Sequence, residues 1–228
     1  MSDSLDLQRI LRTWPYDPEN DARIVPGSND RQILQVRTPL GIEQLELDGR
    51  PDGLRPHDME SALEFHQRRL ETARIRGEAD EFQLSEEECS ELFAEGTLYY
   101  LRYVRLFQLR DWPRTIRDTA RNLRAFDLVR DYADREEDET YLEKWRPYVL
   151  RVHATAVAMR DLEKQAFGQA VAALNEAISK IEALPDLDDE TFEFERDRSL
   201  TALRELAVSN PVSAARHPQV DTWNNPPK

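Results

Sequence analysis

Glycine, cysteine and long apolar runs are scarce in this chain of 228 residues. Only 7 residues are Gly whereas 33% are charged, and this balance favours helices over sheets, so an all-β protein is not expected. The single cysteine, Cys89, cannot form an internal disulfide, which fits a reducing cytoplasm. No window approaches the roughly 20 apolar residues of a membrane span, and the N-terminus lacks a signal-peptide pattern. We therefore expect a soluble cytoplasmic protein with no membrane partner.

Sequence motifs of catalysis are also missing. The histidines His57, His66, His153 and His217 fall into no recognisable pattern, and Cys89 has no nucleophile motif around it. Zinc-protease, serine-hydrolase, phosphate-loop and dinucleotide-binding signatures are absent. Because sites rather than folds carry function, we predict that the protein is not an enzyme and has no catalytic residue, no cofactor and no metal site.

Acidic residues exceed basic ones, 45 against 31, which gives a formal net charge of −14. This balance disfavours non-specific binding to nucleic acid or to anionic membranes. One segment reverses the sign. From Leu98 to Arg124 the chain carries seven Arg against two Asp, a local charge of plus five. That reversal is the most informative electrostatic feature of the sequence.

Residues 84–133 predict two long helices joined by a short turn. Ser85, with Glu88 three residues later, forms a capping-box signature at the start of the first helix. Its interior charges lie on one stripe, at Glu91, Glu95, Arg102 and Arg105. Apolar residues fill the rest of its circumference, so we predict that this helix is the centre of a bundle. Asp111 and Pro113 then predict the start of the second helix.

Arginines recur along the second helix at steps of three and four residues, which places them on one face. They are Arg110, Arg114, Arg117, Arg121 and Arg124. Two interpretations follow. In the favoured one, the acidic segments 78–95 and 125–143 neutralise the arginines within the fold. In the other, the arginines form an exposed face that binds an acidic protein segment or a polyanion, and these five residues are our candidate partner-binding site.

The N-terminal part predicts a small sheet. Residues 22–47 show short alternating runs separated by Gly-containing turns, which is typical of a three-stranded antiparallel meander. A loop rich in Gly, Pro and Arg follows over residues 48–57. We interpret it as a rigid crossover from sheet to helices, because it lacks the spacing of a phosphate loop. Its candidate functional residues are Arg50, Asp52, Arg55 and His57.

Helical spacing dominates the remainder. Asp58 is the expected cap of a helix that ends at Gly77, and a later helix beginning near residues 138–140 is expected to kink at Pro147. A helical hairpin over 154–183 resembles one tetratricopeptide unit, with Phe167, Ala170 and Ala177 at its aromatic and small positions.

These patterns predict a mainly α protein, a tetratricopeptide-like bundle of helical hairpins with a small three-stranded antiparallel sheet. We expect an arm, sheet and crossover over 1–57, a helical bundle over 58–208 whose last helix covers about 190–208, and a disordered tail over 209–228. Trp223 in that tail is either incidental or a docking anchor.

Five stretches also carry a resemblance to a known group: GIEQLELDGRPDGLRPH, YYLRYVRLFQLRDW, RDTARNLRAFDLVRDYA, WRPYVLR and FEFERDRSLTALREL. They are similar to an uncharacterised group of bacterial proteins that contain a UvrB/UvrC-type (UVR) motif, over residues 14–210. The resemblance implies no particular activity. The short acidic hairpin of that group would follow Asn210, and the tail here lacks it, so partner binding through such a hairpin is not implied.

The function that these features favour is a non-enzymatic helical scaffold or adaptor that binds another protein. The alternative is a regulatory module whose arginine face binds nucleic acid or another polyanion. Salt dependence separates the two, because phosphate contacts release counterions steeply.

Overall fold

The computed structural model describes residues 7–209 and is mainly helical, as predicted. A sheet of β1 (Ala22–Pro26), β2 (Gln32–Arg37) and β3 (Ile42–Glu46) follows a short helix, α1 (Gln8–Thr13). The remaining helices are α2 (Ala62–Arg76), α3 (Glu86–Gln108), α4 (Trp112–Tyr132), α5 (Glu136–Tyr141), α6 (Arg146–Glu163), α7 (Phe167–Glu182) and α8 (Glu190–Val208). None of the helices within residues 7–209 is both long and apolar enough to cross a membrane.

The sheet is the predicted antiparallel meander, with strand order β1-β2-β3. Leu34 lies opposite Leu45 on the neighbouring strand, so both side chains point to the same face. That face is covered by Leu106 of α3, which is fully buried among the leucines of the sheet. Three short strands need such cover to be stable, and α3 provides it.

The α3–α4 hairpin begins and turns where the sequence predicts. Ser85 and Glu88 form the complete capping box, and the side chain of Asp111 accepts a hydrogen bond from the backbone N–H of Arg114 at the start of α4. The two ends of the hairpin are also joined. Leu84 N donates to Tyr132 O at 2.7 Å and Asp134 N donates to Leu84 O at 3.0 Å, so the residues before α3 and after α4 form a short parallel bridge.

Two predicted helix boundaries were wrong. The cap of α2 is Ser61, whose side chain accepts from Glu64 N, whereas Asp58 lies in a tight turn with φ near +58°. Pro147 does not kink a helix, because α5 ends at Tyr141 and Pro147 occupies the first turn of the separate helix α6. There its missing N–H costs no hydrogen bond.

Helices α6, α7 and α8 form a second hydrophobic cluster, built mainly on small residues. Ala170 and Ala177 are buried, as the predicted close contact of helices requires, but Phe167 is 42% exposed and does not enter this cluster. The last helix ends at Val208, as predicted. The predictions for the tail, including Trp223, concern residues 210–228, which lie outside the described residues.

Candidate functional site

Two charged side chains in the middle of α3, Glu95 and Arg102, face the interior instead of solvent. Arg102 and Asp118 are both fully buried, and the Arg102 Nε and Nη2 atoms donate to the two carboxylate oxygens of Asp118 at 2.6 and 2.9 Å. Arg102 Nη1 also donates to the carbonyl oxygens of Glu46 and Gly49, each at 2.8 Å. One guanidinium therefore joins α3, α4 and the end of the sheet, which explains how a buried charge is satisfied.

A second buried carboxylate, Glu95, lies about two turns before Arg102 on α3. It accepts from the backbone N–H groups of Ala62 and Leu63 at 2.8 and 3.1 Å, and it forms an ion pair with the buried Arg121. A carboxylate at these positions satisfies free amides and complements the helix dipole at the start of α2. Burial, followed by the charges of Arg124 and Arg50, lowers the pKa of Arg121 to about 9, so its guanidinium stays charged at neutral pH.

The arginines of α4 do not form one uniform face. Arg121 is 5% exposed, Arg114 pairs with Asp111, and Arg117 pairs with Asp48 and Asp118. Arg114, Arg117 and Arg121 therefore have carboxylate partners within the fold, as the favoured interpretation expects.

The neutralising acids are mostly not those that we predicted. Of the partners found, only Glu95 belongs to the segments 78–95 and 125–143. Asp111 and Asp118 come from α4 itself and its cap, and Asp48 comes from the loop after the sheet. Arg110, Arg117 and Arg124 are exposed, so the polyanion-binding alternative keeps these three residues as its accessible charges. For them the binding role stays a prediction.

The candidate loop residues divide into separate groups. Arg50 pairs with Asp52 at 3.0 Å and reaches Glu95 at 3.5 Å, so it belongs to the buried charge network. Arg55 is exposed and has no ion pair with any residue of 7–209. His57 contacts a different residue of α3, and its Nε2 atom lies 3.1 Å from Oε2 of Glu91. The loop is thus attached to the helices at two places, which supports its interpretation as a crossover.

An open cavity of about 270 Å³ lies between α3, α4, α5 and α6. It is lined by seven aromatic side chains, which define the aromatic cavity: Phe93, Tyr100, Tyr103, Phe126, Tyr141, Trp145 and Tyr148. Phe93 and Tyr141 stack at its mouth with 4.3 Å between ring centroids, and Tyr141 is 48% exposed. Burial raises the pKa of Tyr148 to about 12, so its hydroxyl stays neutral. The cavity can accept an apolar or aromatic group, and Lys144 is the charged residue among those that line it.

Gly96 of α3 leaves room in the wall of the aromatic cavity. A Cβ atom at this position would meet no neighbouring atom within 4 Å, apart from the backbone of the helix itself. From the sequence we predicted that the apolar residues of α3 fill the centre of a bundle, and this space was not expected. Gly96 was the available signal, because a glycine inside a helix is unfavourable unless it makes room for something.

Beside the aromatic cavity lies an acidic rim, defined by Glu86, Glu87, Asp134, Glu136 and Glu137. All five side chains are exposed, and the one base among them, Arg135, pairs with Glu86 and Glu137. The rim and the cavity share α5, since Glu136 begins this helix and Tyr141 ends it. At ~1.5 Å per residue, the backbone of Glu136 lies less than about 10 Å along the helix axis from that of Tyr141.

No protein-family model matches the sequence, and neither the curated proteins nor the solved structures gave a match. The resemblance to UVR-motif proteins therefore stays an interpretation of the sequence, and the function has to be argued from the site itself.

Proposed function

We propose that this protein is a non-enzymatic helical scaffold that binds a basic segment of another protein. The observation that carries the proposal is the aromatic cavity, open to solvent and adjoining the acidic rim. Protein interfaces concentrate their binding energy on aromatic and Arg side chains that fill well-packed pockets. The segment that fits has an apolar or aromatic side chain for the cavity and Lys or Arg residues for the rim.

The charges around the cavity favour a partner segment with a positive charge. The acidic rim presents five carboxylates against one guanidinium, and the whole chain has a formal net charge of −14. An acidic partner would be repelled there, whereas a basic one gains attraction and a faster encounter. The cavity mouth already holds one cation, because Lys144 Nζ lies 4.9 Å above the ring centre of Tyr141. A partner's Lys or Arg can make the same cation–π contact.

Substitution of Gly96 tests the proposal without touching a charge. Gly96→Leu places a side chain in the free space of the cavity, and it replaces a poor helix former with a good one. The probe is a set of fluorescently labelled synthetic peptides that carry Lys and Arg around one Trp, with binding followed by anisotropy. We expect the wild type to bind these peptides, and Gly96→Leu to weaken binding by about tenfold or more, ~1.4 kcal/mol.

Gly168→Leu is the matched control. Gly168 is also helical, also has no atom within 4 Å of a Cβ position, and lies exposed on α7, away from the cavity. The Gly168→Leu variant should bind the peptides with the same affinity as the wild type. Equal affinities of the two glycine variants would contradict the proposal.

The polyanion alternative predicts a different outcome. Binding of single-stranded RNA would be strong at low salt and fall steeply as salt rises, because phosphate contacts release counterions. It would be reduced by Arg124→Ala and unaffected by Gly96→Leu. Such a result, without binding of the basic peptides, would favour the arginine face over the aromatic cavity.

A further inference from the structure

We propose that His57, His66 and Glu91 form a binding site for one divalent transition-metal ion of the Zn²⁺ class. Their ligand atoms all lie within 4.8 Å of one another. The Nε2 atoms of His57 and His66 lie 3.1 and 3.6 Å from the same oxygen of Glu91. The site is separate from both the aromatic cavity and the arginines of α4, and it does not depend on the function proposed above.

A buried nitrogen points into this cluster without a hydrogen-bond partner. His66 is 1% exposed, and its Nε2 atom has no partner at hydrogen-bond distance among residues 7–209. Buried polar atoms are nearly always satisfied, so an orphan nitrogen facing a second imidazole and a carboxylate needs an explanation. A metal ion bonded to Nε2 supplies one.

The surroundings orient the other ligands. The ring of Phe65 stacks on that of His57 with 4.0 Å between centroids and an angle of 13° between planes. His57 and Asp58 both have positive φ angles, 54° and 58°, which are uncommon for residues other than glycine. Strained backbone of this kind concentrates at functional sites. Here it turns the His57 side chain towards α3.

The ligand set and spacing suit zinc. Two imidazole nitrogens and one carboxylate oxygen are ligands that Zn²⁺ prefers over Mg²⁺ or Ca²⁺. With bonds of ~2.0–2.1 Å, neighbouring ligand atoms in a tetrahedral site lie about 3.3–3.5 Å apart. The two distances to Glu91 are close to this value, so only His57 and His66 have to approach each other. His57 and Glu91 have 40% and 32% of their side chains exposed, which gives an ion access and leaves water as the fourth ligand.

Metal binding requires the proton of the His66 ring to move from Nε2 to Nδ1. Arg69 Nη1 lies 3.0 Å from Nδ1 of His66 and can only donate, so Nδ1 accepts and the proton of the neutral ring is on Nε2. When Nε2 binds the ion, the proton moves to Nδ1 through exchange with solvent. Arg69 then pairs with Glu88 alone, which it already contacts. The exchange leaves the charge of the ring unchanged.

The ion would join three segments that are distant in sequence. His57 belongs to the crossover after the sheet, His66 to α2 and Glu91 to α3. Binding would therefore hold the crossover against the helices and raise the stability of the folded chain, because the unfolded chain has no such site.

The test uses the full-length protein, freed of metal with a chelator and then titrated with ZnCl₂ by isothermal titration calorimetry. We expect one Zn²⁺ per chain, a higher melting temperature with Zn²⁺ and no such effect of Mg²⁺. His57→Asn and Glu91→Gln should each weaken binding by about tenfold or more. Asn tolerates the positive φ of residue 57, so the first variant keeps the fold.

Two variants serve as controls. Glu87→Gln changes an exposed carboxylate one turn earlier on α3, and His217→Asn changes a histidine that is not one of the three proposed ligands. Both should bind Zn²⁺ like the wild type. Cys89 does not compete for zinc, because its thiol is buried. The proposal is overturned if the wild type binds no stoichiometric Zn²⁺, or if binding is unchanged in both His57→Asn and Glu91→Gln.

Discussion

The α3–α4 hairpin and the α6–α8 region are both packed helices, but their interiors differ. Between α3, α4 and the sheet the fully buried side chains include Glu95, Arg102 and Asp118. Between α6, α7 and α8 the hydrophobic cluster is Ala, Leu and Ile, and a single buried ion pair among the described residues there, Arg151 with Glu195, joins α6 to α8 at a longer distance of 3.6 Å. Ion pairs and hydrogen bonds are directional, so the first interior fixes how three elements meet. In the second, the apolar cluster depends on volume, because small side chains let helix axes come close.

The largest effect should come from breaking the buried pair of the first region. Asp118→Asn removes the carboxylate charge that faces Arg102, and an unpaired guanidinium then remains buried. We expect the free energy of unfolding to fall by about 3–5 kcal/mol, measured by urea denaturation. The double variant Arg102→Met, Asp118→Leu leaves no buried charge at this point and should be less destabilised than the single variant. A loss below about 1 kcal/mol for Asp118→Asn would mean that solvent reaches the pair.

Overfilling the second region should have a smaller effect. Ala158 of α6 is fully buried in the α6–α8 cluster. Ala158→Leu inserts a larger side chain where the helices meet, and we expect a loss of about 1–3 kcal/mol in the same denaturation assay. Ala172→Leu, on the partly exposed side of α7, is the control and should change stability little. Similar losses for both variants would argue against tight packing at Ala158.

The smallest effect concerns His153, where the two regions meet. Its Nδ1 atom lies 2.9 Å from the Thr119 hydroxyl, and burial, then the charges of Lys180 and Arg160, lowers its pKa below 6.5. Below pH 6.5 the unfolded chain therefore binds a proton that the folded chain resists, and stability falls as pH falls. When the pH is lowered from 7.5 to 5.5 in the presence of a chelator, the melting temperature of His153→Gln should fall less than that of the wild type. Equal losses would show that His153 is not responsible.

The fold was largely predictable because its signals are local. The capping box at Ser85, the Asp111–Pro113 break and the alternation of residues 22–47 each act within a few residues, and the structure has the elements they predict. The tertiary contacts of the candidate sites were not predictable in this way. Arg50 and Glu95 are 45 residues apart, and helical spacing alone cannot show that an arginine will be buried against a distant carboxylate.

The proposed metal site was hard to predict for the same reason. Of its three ligands only His57 is a candidate from the sequence, because His57, His66 and Glu91 come from three segments and no short motif joins them. The aromatics of α3 were expected in the interior, and most do line it, but spacing does not reveal that they leave a space at Gly96. The left-handed backbone at His57 is likewise a consequence of tertiary structure.

The backbone bridge between Leu84 and the end of α4 makes the hairpin a closed ring of about fifty residues. Each helix of an open hairpin can unwind from its free end at little cost, since terminal turns have few contacts. In the ring, unwinding α3 from its start also requires release of the last turn of α4. Local opening is thereby converted into a cooperative event. We expect the slowest-exchanging amides of the chain in this ring, and the crossover and α8 to open before it.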